Sequence, residues 1–207
     1  MRAFNGYDEA KENAKYTGGS AKLPTGAYKA KIIGVKYEPG QNGYSDRIII
    51  QFDITDGEYK DFFRKQYDDN DSEDKKWKGK TTIYVPLDDG SEKDGWTKNT
   101  FVKWTNALED SNAGYTWDWD ENKWKGLSIG LMFAETWTGI DGKPVKFTEV
   151  RYPMAVNEVD KPDIKIPDPK IKNSYKEAVA SGNGDNSGDM DGYVNVKEGS
   201  KIDIPFD

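Results

Sequence analysis

Two stretches of period-two alternation constrain this chain more than any other feature. In residues 27–37, Tyr28, Ala30 and Ile32 alternate with Lys29, Lys31 and Ile33; in residues 47–54, Ile48, Ile50, Phe52 and Ile54 alternate with Arg47, Ile49, Gln51 and Asp53. Successive side chains of a strand point to opposite faces, whereas a helix would scatter these residues around its circumference. Each stretch therefore reads as a strand with one apolar face, and the first carries a basic face opposite. The intervening loop holds Pro39-Gly40 and Asn42-Gly43, turn chemistry that joins the two as a hairpin.

Strand signals continue along the chain. Asp56-Gly57 makes a turn, and residues 58–67, with Phe62, Phe63, Arg64 and Lys65, give a third candidate strand that completes a meander. A charged stretch containing Trp77 leads to a fourth, residues 81–87, which ends at Pro86 because proline cannot donate to a ladder. One helix is expected in the body, capped by Thr97 or Asn99, with Phe101, Val102, Trp104, Thr105 and Leu108 at helical spacing, and ending by residues 112–114. Residues 128–137 and 145–156, separated by Gly139-Ile140-Asp141-Gly142, form the last hairpin.

The flanks differ in composition. Residues 1–22 are small, polar and charged, a flexible arm that ends where Leu23-Pro24-Thr25-Gly26 turns into the first strand. From residue 157 onward Pro162, Pro167 and Pro169 sit among Lys and Asp, which favours an extended linker; a short helix is expected over 172–180. Residues 181–191 are rich in Gly, Ser, Asn and Asp and hold too little apolar surface to fold. The expected organisation is an arm (1–22), a mainly β body (23–156) and a linker with a disordered acidic C-terminal tail (157–207). Five or so antiparallel strands with one helix before the last hairpin is the element count of an OB-like barrel.

Charge and chemistry narrow the function. The chain has 30 basic and 37 acidic residues, net −7, so only a segregated basic face would attract a polyanion. Residues 181–207 carry six acids against two lysines and residues 157–180 five of each, which leaves the body with 23 bases against 26 acids. There is no histidine, which removes the commonest general base and imidazole metal ligation, and no cysteine, which removes disulfides and thiolate sites. A non-enzymatic protein without cofactor is expected. Residues 1–20 lack an apolar segment and no run approaches 18 apolar residues, so the expected setting is soluble and cytoplasmic, away from membranes.

Aromatic residues make up 13% of the chain, and they interleave with cations on the strands. Binding single strands without sequence preference needs both, cations to follow phosphates and rings to stack bases. The candidates are Lys29, Lys31 and, on the same parity, Tyr37 of the first strand; Arg47 of the second; Phe63, Arg64 and Lys65 of the third; Trp77 on the charged loop; Lys80 and Tyr84 around the fourth; and Lys146 and Arg151 of the last hairpin. Aromatics of a β-barrel are also commonly core, and lysines opposite a buried face are commonly a solvated surface.

The chain ends Asp203-Ile204-Pro205-Phe206-Asp207. Its Asp203, Ile204, Pro205 and Phe206 closely resemble the acidic tip of phage and bacterial single-stranded-DNA-binding proteins, and Leu23-Pro24-Thr25-Gly26-Ala27-Tyr28 resembles the lead into the first strand of phage-encoded members. In the family the Phe is normally the last residue, whereas Asp207 follows it here, and Lys197 and Lys201 interrupt the acidic run. The resemblance implies a protein that binds and protects single-stranded DNA in replication or recombination, in the host cytoplasm if phage-encoded, and recruits replication or recombination proteins through the tip. Self-association into a homo-oligomer is compatible with it. An exposed Ile-Pro-Phe on a solvated tail also argues for a partner that buries it.

Other constellations were weighed. Asp53, Asp56, Glu58 and Lys60 match a metal-nuclease pattern, though a turn with charged flanks explains them. Residues 187–198 fit an EF-hand loop at several positions but begin with Ser187 in place of the usual Asp. Trp117, Trp119 and Trp124 suggest a sugar-stacking platform on a carbohydrate-binding β-sandwich, or a tryptophan-rich loop packed beside the barrel. A phage structural or assembly protein is the remaining alternative.

Overall fold

In the computed structural model, which describes residues 22–41 and 44–181, the first alternating segment forms β1 (Gly26–Glu38) at the centre of a sheet. Antiparallel neighbours flank it, β2 (Arg47–Ile54) on one side and β4 (Ser128–Ile140) on the other. Outside them lie β3 (Lys80–Tyr84) and β5 (Lys143–Met154), giving the order β3-β2-β1-β4-β5. A two-residue β6 (Lys170–Ile171) pairs parallel with β4 at Thr136 and Trp137. Among the described residues β3 and β5 do not pair, so the sheet is open and not closed into a barrel.

Among the described residues three α-helices accompany the sheet, where the sequence suggested one in the body and a short one beyond it: α1 (Phe62–Asp68), α2 (Glu92–Ser111) and α3 (Asn173–Ala180). The segment expected as a third strand, 58–67, is a turn followed by α1. Adjacent Phe62 and Phe63 carry no period of their own, and a tertiary contact decides their conformation. The Asp53 carboxylate, at the end of β2, accepts from the backbone N–H groups of Phe63 (3.0 Å) and Arg64 (3.2 Å). It thereby satisfies donors that a helix start leaves without partners. Burial pushes the Asp53 carboxyl above its ordinary value, against the lowering effect of these donors. Phe63 then packs edge-on against Phe52, ring centres 5.5 Å apart.

α2 begins earlier than its apolar spacing suggested. Ser91, not Thr97 or Asn99, is the N-cap, its hydroxyl accepting from the Asp94 N–H at 3.1 Å. The first turns carry a single apolar side chain, the exposed Trp96, and bury only Asp94, so apolar periodicity does not register them. Phe101, Trp104, Ala107 and Leu108 bury one face of the helix. Its end matches the expectation: Asn112 donates to the carbonyls of Leu108 and Ser128, both 2.8 Å, and accepts from the Ser128 N–H, which ties the helix to the first residue of β4.

The core lies between α2 and one face of the sheet. Ala30 and Ile32 of β1, Ile48, Ile50, Phe52 and Ile54 of β2, Ile83 of β3 and Ile129, Leu131 and Phe133 of β4 meet Phe101, Trp104, Leu108 and Trp124 there. A β-bulge at Ile33 changes the register of β1, since Ile32 pairs with Phe52 but Gly34 pairs with Gln51. The extra residue exchanges the two faces for the rest of the strand. Val35 and Tyr37 consequently point to the core side, opposite Ile50 and Ile48.

Beyond β5, the proline-bearing stretch expected as a linker returns to the sheet. The expected short helix forms as α3 and docks on the β4–β5 hairpin with Tyr175 and Ala178 buried, the Tyr175 ring 5.4 Å from that of Trp137. Ser174 Oγ accepts from the Gly139 N–H at 3.0 Å. A Cβ on Gly139 would stand 2.3 Å from the Ser174 carbonyl oxygen, and backbone leaves no flexible side chain to yield. Gly139→Ala is therefore expected to undock α3, seen as loss of amide-exchange protection over 174–181 with β1–β3 protection retained; unchanged protection would contradict the packing described here. No helix among the described residues is long and apolar enough to cross a membrane. The acidic tail, the tip and the EF-hand-like 187–198 lie outside the described residues, as does most of the N-terminal arm.

Candidate nucleic-acid interface

The face of β1–β3 turned away from the core is built of three cross-strand rungs. Glu38 pairs with Arg47 and Arg47 with Tyr84; Lys36 with Ile49 and Ile49 with Thr82; Gly34 with Gln51 and Gln51 with Lys80. Lys31 lies on the same face ahead of the bulge, opposite Asp53. Lys31, Lys36, Arg47, Lys80, Thr82 and Tyr84 are all exposed. Lys31 and Lys80 make no ion pair with a described residue, and Tyr84 is 54% exposed.

Glu38 links two of the cations. One carboxylate oxygen lies 2.7 Å from Lys36 Nζ, and the other 2.6 Å from an Arg47 terminal nitrogen and 2.7 Å from Arg47 Nε. Hydrogen bonds from Lys36 and then Arg47 hold the Glu38 carboxyl below its ordinary range. Beside this rung the β1–β2 loop borders a groove of about 560 Å³, lined by Glu38, Gln41, Tyr44, Arg47 and Tyr84. That volume lies within the roughly 300–1,000 Å³ of ligand clefts. Tyr44 is 77% exposed. Asp46 braces the loop by accepting from the Gly40 N–H at 2.7 Å and from the Tyr37 hydroxyl, and these donors lower its carboxyl pKa, Tyr37 contributing most.

Of the residues singled out in the sequence, the fold brings Lys31, Arg47, Lys80 and Tyr84 together on this face. The others go elsewhere. Tyr37 lies on the core side, because the bulge reverses its parity, and its hydroxyl braces Asp46. Lys29 keeps the outward parity but is tied to Asp160 (2.6 Å) and Asp56 (3.5 Å). Phe63 is core, so it offers no ring to a base. Arg64 and Lys65 ride on α1, where Lys65 Nζ donates to the Lys60 carbonyl. Trp77 is half-buried, and its indole N–H donates to the carbonyls of Phe52 and Gly79. On the last hairpin, Lys146 stands 4.2 Å above the Trp137 ring, and Arg151 donates to the Glu135 carbonyl at 2.7 Å.

Lys36, Glu38 and Tyr44 belong to the face and were not singled out. Simple alternation places Lys36 inward, and only the bulge turns it out. Tyr44 carried a signal, a ring next to the Asn42-Gly43 turn, that alternation does not read.

No family model matches this chain, and no curated protein sequence does. The case for the site therefore rests on geometry. Two rival constellations look different in three dimensions. Among the described residues no three Asp or Glu side chains converge to hold a metal ion; Asp53 caps α1, and Asp56 accepts from the Gly57 N–H and pairs with Lys29. The tryptophans do not make a flat platform: Trp117 is inclined 49° to Trp124 and 53° to Trp119, and Trp124 is fully buried. Of these three, Trp119 is open to solvent, at 80%, with one side stacked on Phe101.

Proposed function

We propose that this chain binds single-stranded DNA along the outer face of β1–β3, with bases stacked on Tyr84 and phosphates held by Lys31, Lys36, Arg47 and Lys80. The observation that carries the reading is the rung Glu38–Arg47–Tyr84: an exposed ring on an edge strand, directly beside an exposed guanidinium, at the end of the face away from Asp53, where α1 docks. Stacking on a ring is tolerant of sequence because every base has a π-face. The net charge of −7 does not oppose this, since four cations against the half-buried Glu38 and the buried Asp53 give the face a local positive field.

The strand path supports an OB-like architecture for this function. With β1 central, the order β3-β2-β1-β4-β5 and α2 between β3 and β4 in sequence, the strand path is compatible with an OB barrel left open between its third and fifth strands. OB-folds bind oligonucleotides on the face of their second and third strands and on the loop between the first and second. In this reading Arg47, Tyr84 and the Tyr44 groove are the counterparts of those positions. The C-terminal Asp203, Ile204, Pro205 and Phe206 serve in this proposal to recruit replication or recombination proteins.

Fluorescence anisotropy with a labelled oligothymidine and with duplex of equal length tests the proposal. Preference for the single strand is expected. Two to four phosphate contacts predict a slope of log K against log salt between about −1.4 and −2.8, at roughly 0.7 per contact on single strands. Absence of binding at low salt would overturn it. Removing residues 201–207 is expected to leave DNA affinity equal or higher while abolishing pull-down of replication proteins; equal pull-down by both forms would count against the tip.

A further inference from the structure

We infer that Glu38 is an internal competitor for the phosphates: it occupies Lys36 and Arg47 while the face is empty and yields them when a strand arrives. The inference rests on the single-strand reading above. Each oxygen of this carboxylate is spent on a different cation, at 2.7 Å from Lys36 and 2.6 Å from Arg47, and Glu38 is the last residue of β1, one rung position from the stacking ring Tyr84. A phosphate whose base stacks on Tyr84 must enter next to Arg47, where it meets a guanidinium already engaged and a negative charge beside it.

Two roles for such a triad predict opposite outcomes. If Glu38 merely orders the two cations for DNA, its loss leaves them mobile and weakens binding. If it competes, its loss strengthens binding. Charge favours competition, because Lys36 and Arg47 together with Glu38 present one net positive charge, against two without it. Exposure points the same way: the Lys36 and Arg47 side chains are 71% and 51% exposed, against 23% for Glu38, so both cations reach solvent, where ion pairs restrain their partners only weakly. Arginine also presents a planar fork of five donors, of which Glu38 uses one edge, so the remaining donors stay available for exchange. Lys31 and Lys80, without carboxylate partners among the described residues, attract the strand first, and the triad then opens to it.

The test is Glu38→Gln in the full chain, which keeps the shape and removes the charge. Oligothymidine is expected to bind about two- to fivefold more tightly at low salt, the size of an exposed charge interaction, with the salt slope steeper by about 0.7 to 1.4, up to the roughly −2.8 of four available cations. Equal or weaker binding by the variant, with wild type binding, overturns the inference. A second comparison does not depend on that variant folding: Lys36→Gln is expected to cost less affinity than Lys80→Gln, since Lys36 is already partly neutralised, and an equal or larger loss overturns it too. No binding by wild type overturns the single-strand reading and the inference with it.

Discussion

Replacing Tyr84 by alanine is expected to weaken oligothymidine binding roughly five- to 150-fold, the equivalent of about 1–3 kcal/mol of lost base stacking. Tyr84 ends the edge strand β3, 54% exposed, and its hydroxyl makes no hydrogen bond among the described residues. Its removal should therefore move stability by no more than about 0.5 kcal/mol, the usual range for a surface substitution. Loss of affinity without loss of stability is the expected signature, read by anisotropy beside a urea melt. Tyr84→Phe keeps the ring and should keep most of the affinity. Unaltered binding by the alanine variant would remove Tyr84 from the interface and with it the principal support for the proposed face.

Trp124→Ala is expected to show the reverse pattern, costing about 3–5 kcal/mol of stability, as truncation of a large buried aromatic does. Trp124 closes a 3-10 helix, Glu121–Trp124, that Asp120 caps through the Asn122 N–H. Its fully buried ring contacts Trp117 and Phe101, with centres 5.1 and 6.3 Å away. Immediately afterwards the chain bonds to the edge of β1, Ile32 N–H to the Leu127 carbonyl and Gly126 N–H to the Ile32 carbonyl. A cavity at Trp124 therefore loosens both α2 and the approach to β4. Urea unfolding measures the loss, and DNA affinity per folded molecule should stay near wild type. A cost below about 1 kcal/mol would mean that the tryptophan loop is peripheral, contrary to its burial.

The contrast between these residues bears on how a composition rich in aromatics is to be interpreted. Trp124, Trp77 and Phe63 have the same chemistry as Tyr84, yet the first three are held by the core or by backbone carbonyls. Residue type states what a ring is able to do. Burial decides which rings are available to do it.

Alternation in 27–37 and 47–54 was sufficient to place β1 and β2 and to identify Ala30, Ile32, Ile48, Ile50, Phe52 and Ile54 as buried, because strand geometry converts sequence parity directly into a face. Turn chemistry at Asp141-Gly142 placed the β4–β5 hairpin, and the helical spacing of Phe101, Trp104 and Leu108 found α2. What sequence alone did not decide were the points where a distant residue overrides a local pattern. Asp53, ten residues upstream of Phe63, turns an expected strand into α1 by accepting its backbone donors. Ser174 and Tyr175 bring the chain back to β4 beyond a run of prolines. The bulge at Ile33 is the decisive case: parity counted from Tyr28 puts Tyr37 beside Lys31 and hides Lys36, and pairing with β2 reverses both. The sequence therefore determined that a basic, aromatic-bearing sheet existed. Only cross-strand register, which depends on two segments at once, decided that Lys36, Glu38, Arg47 and Tyr84 share its open face.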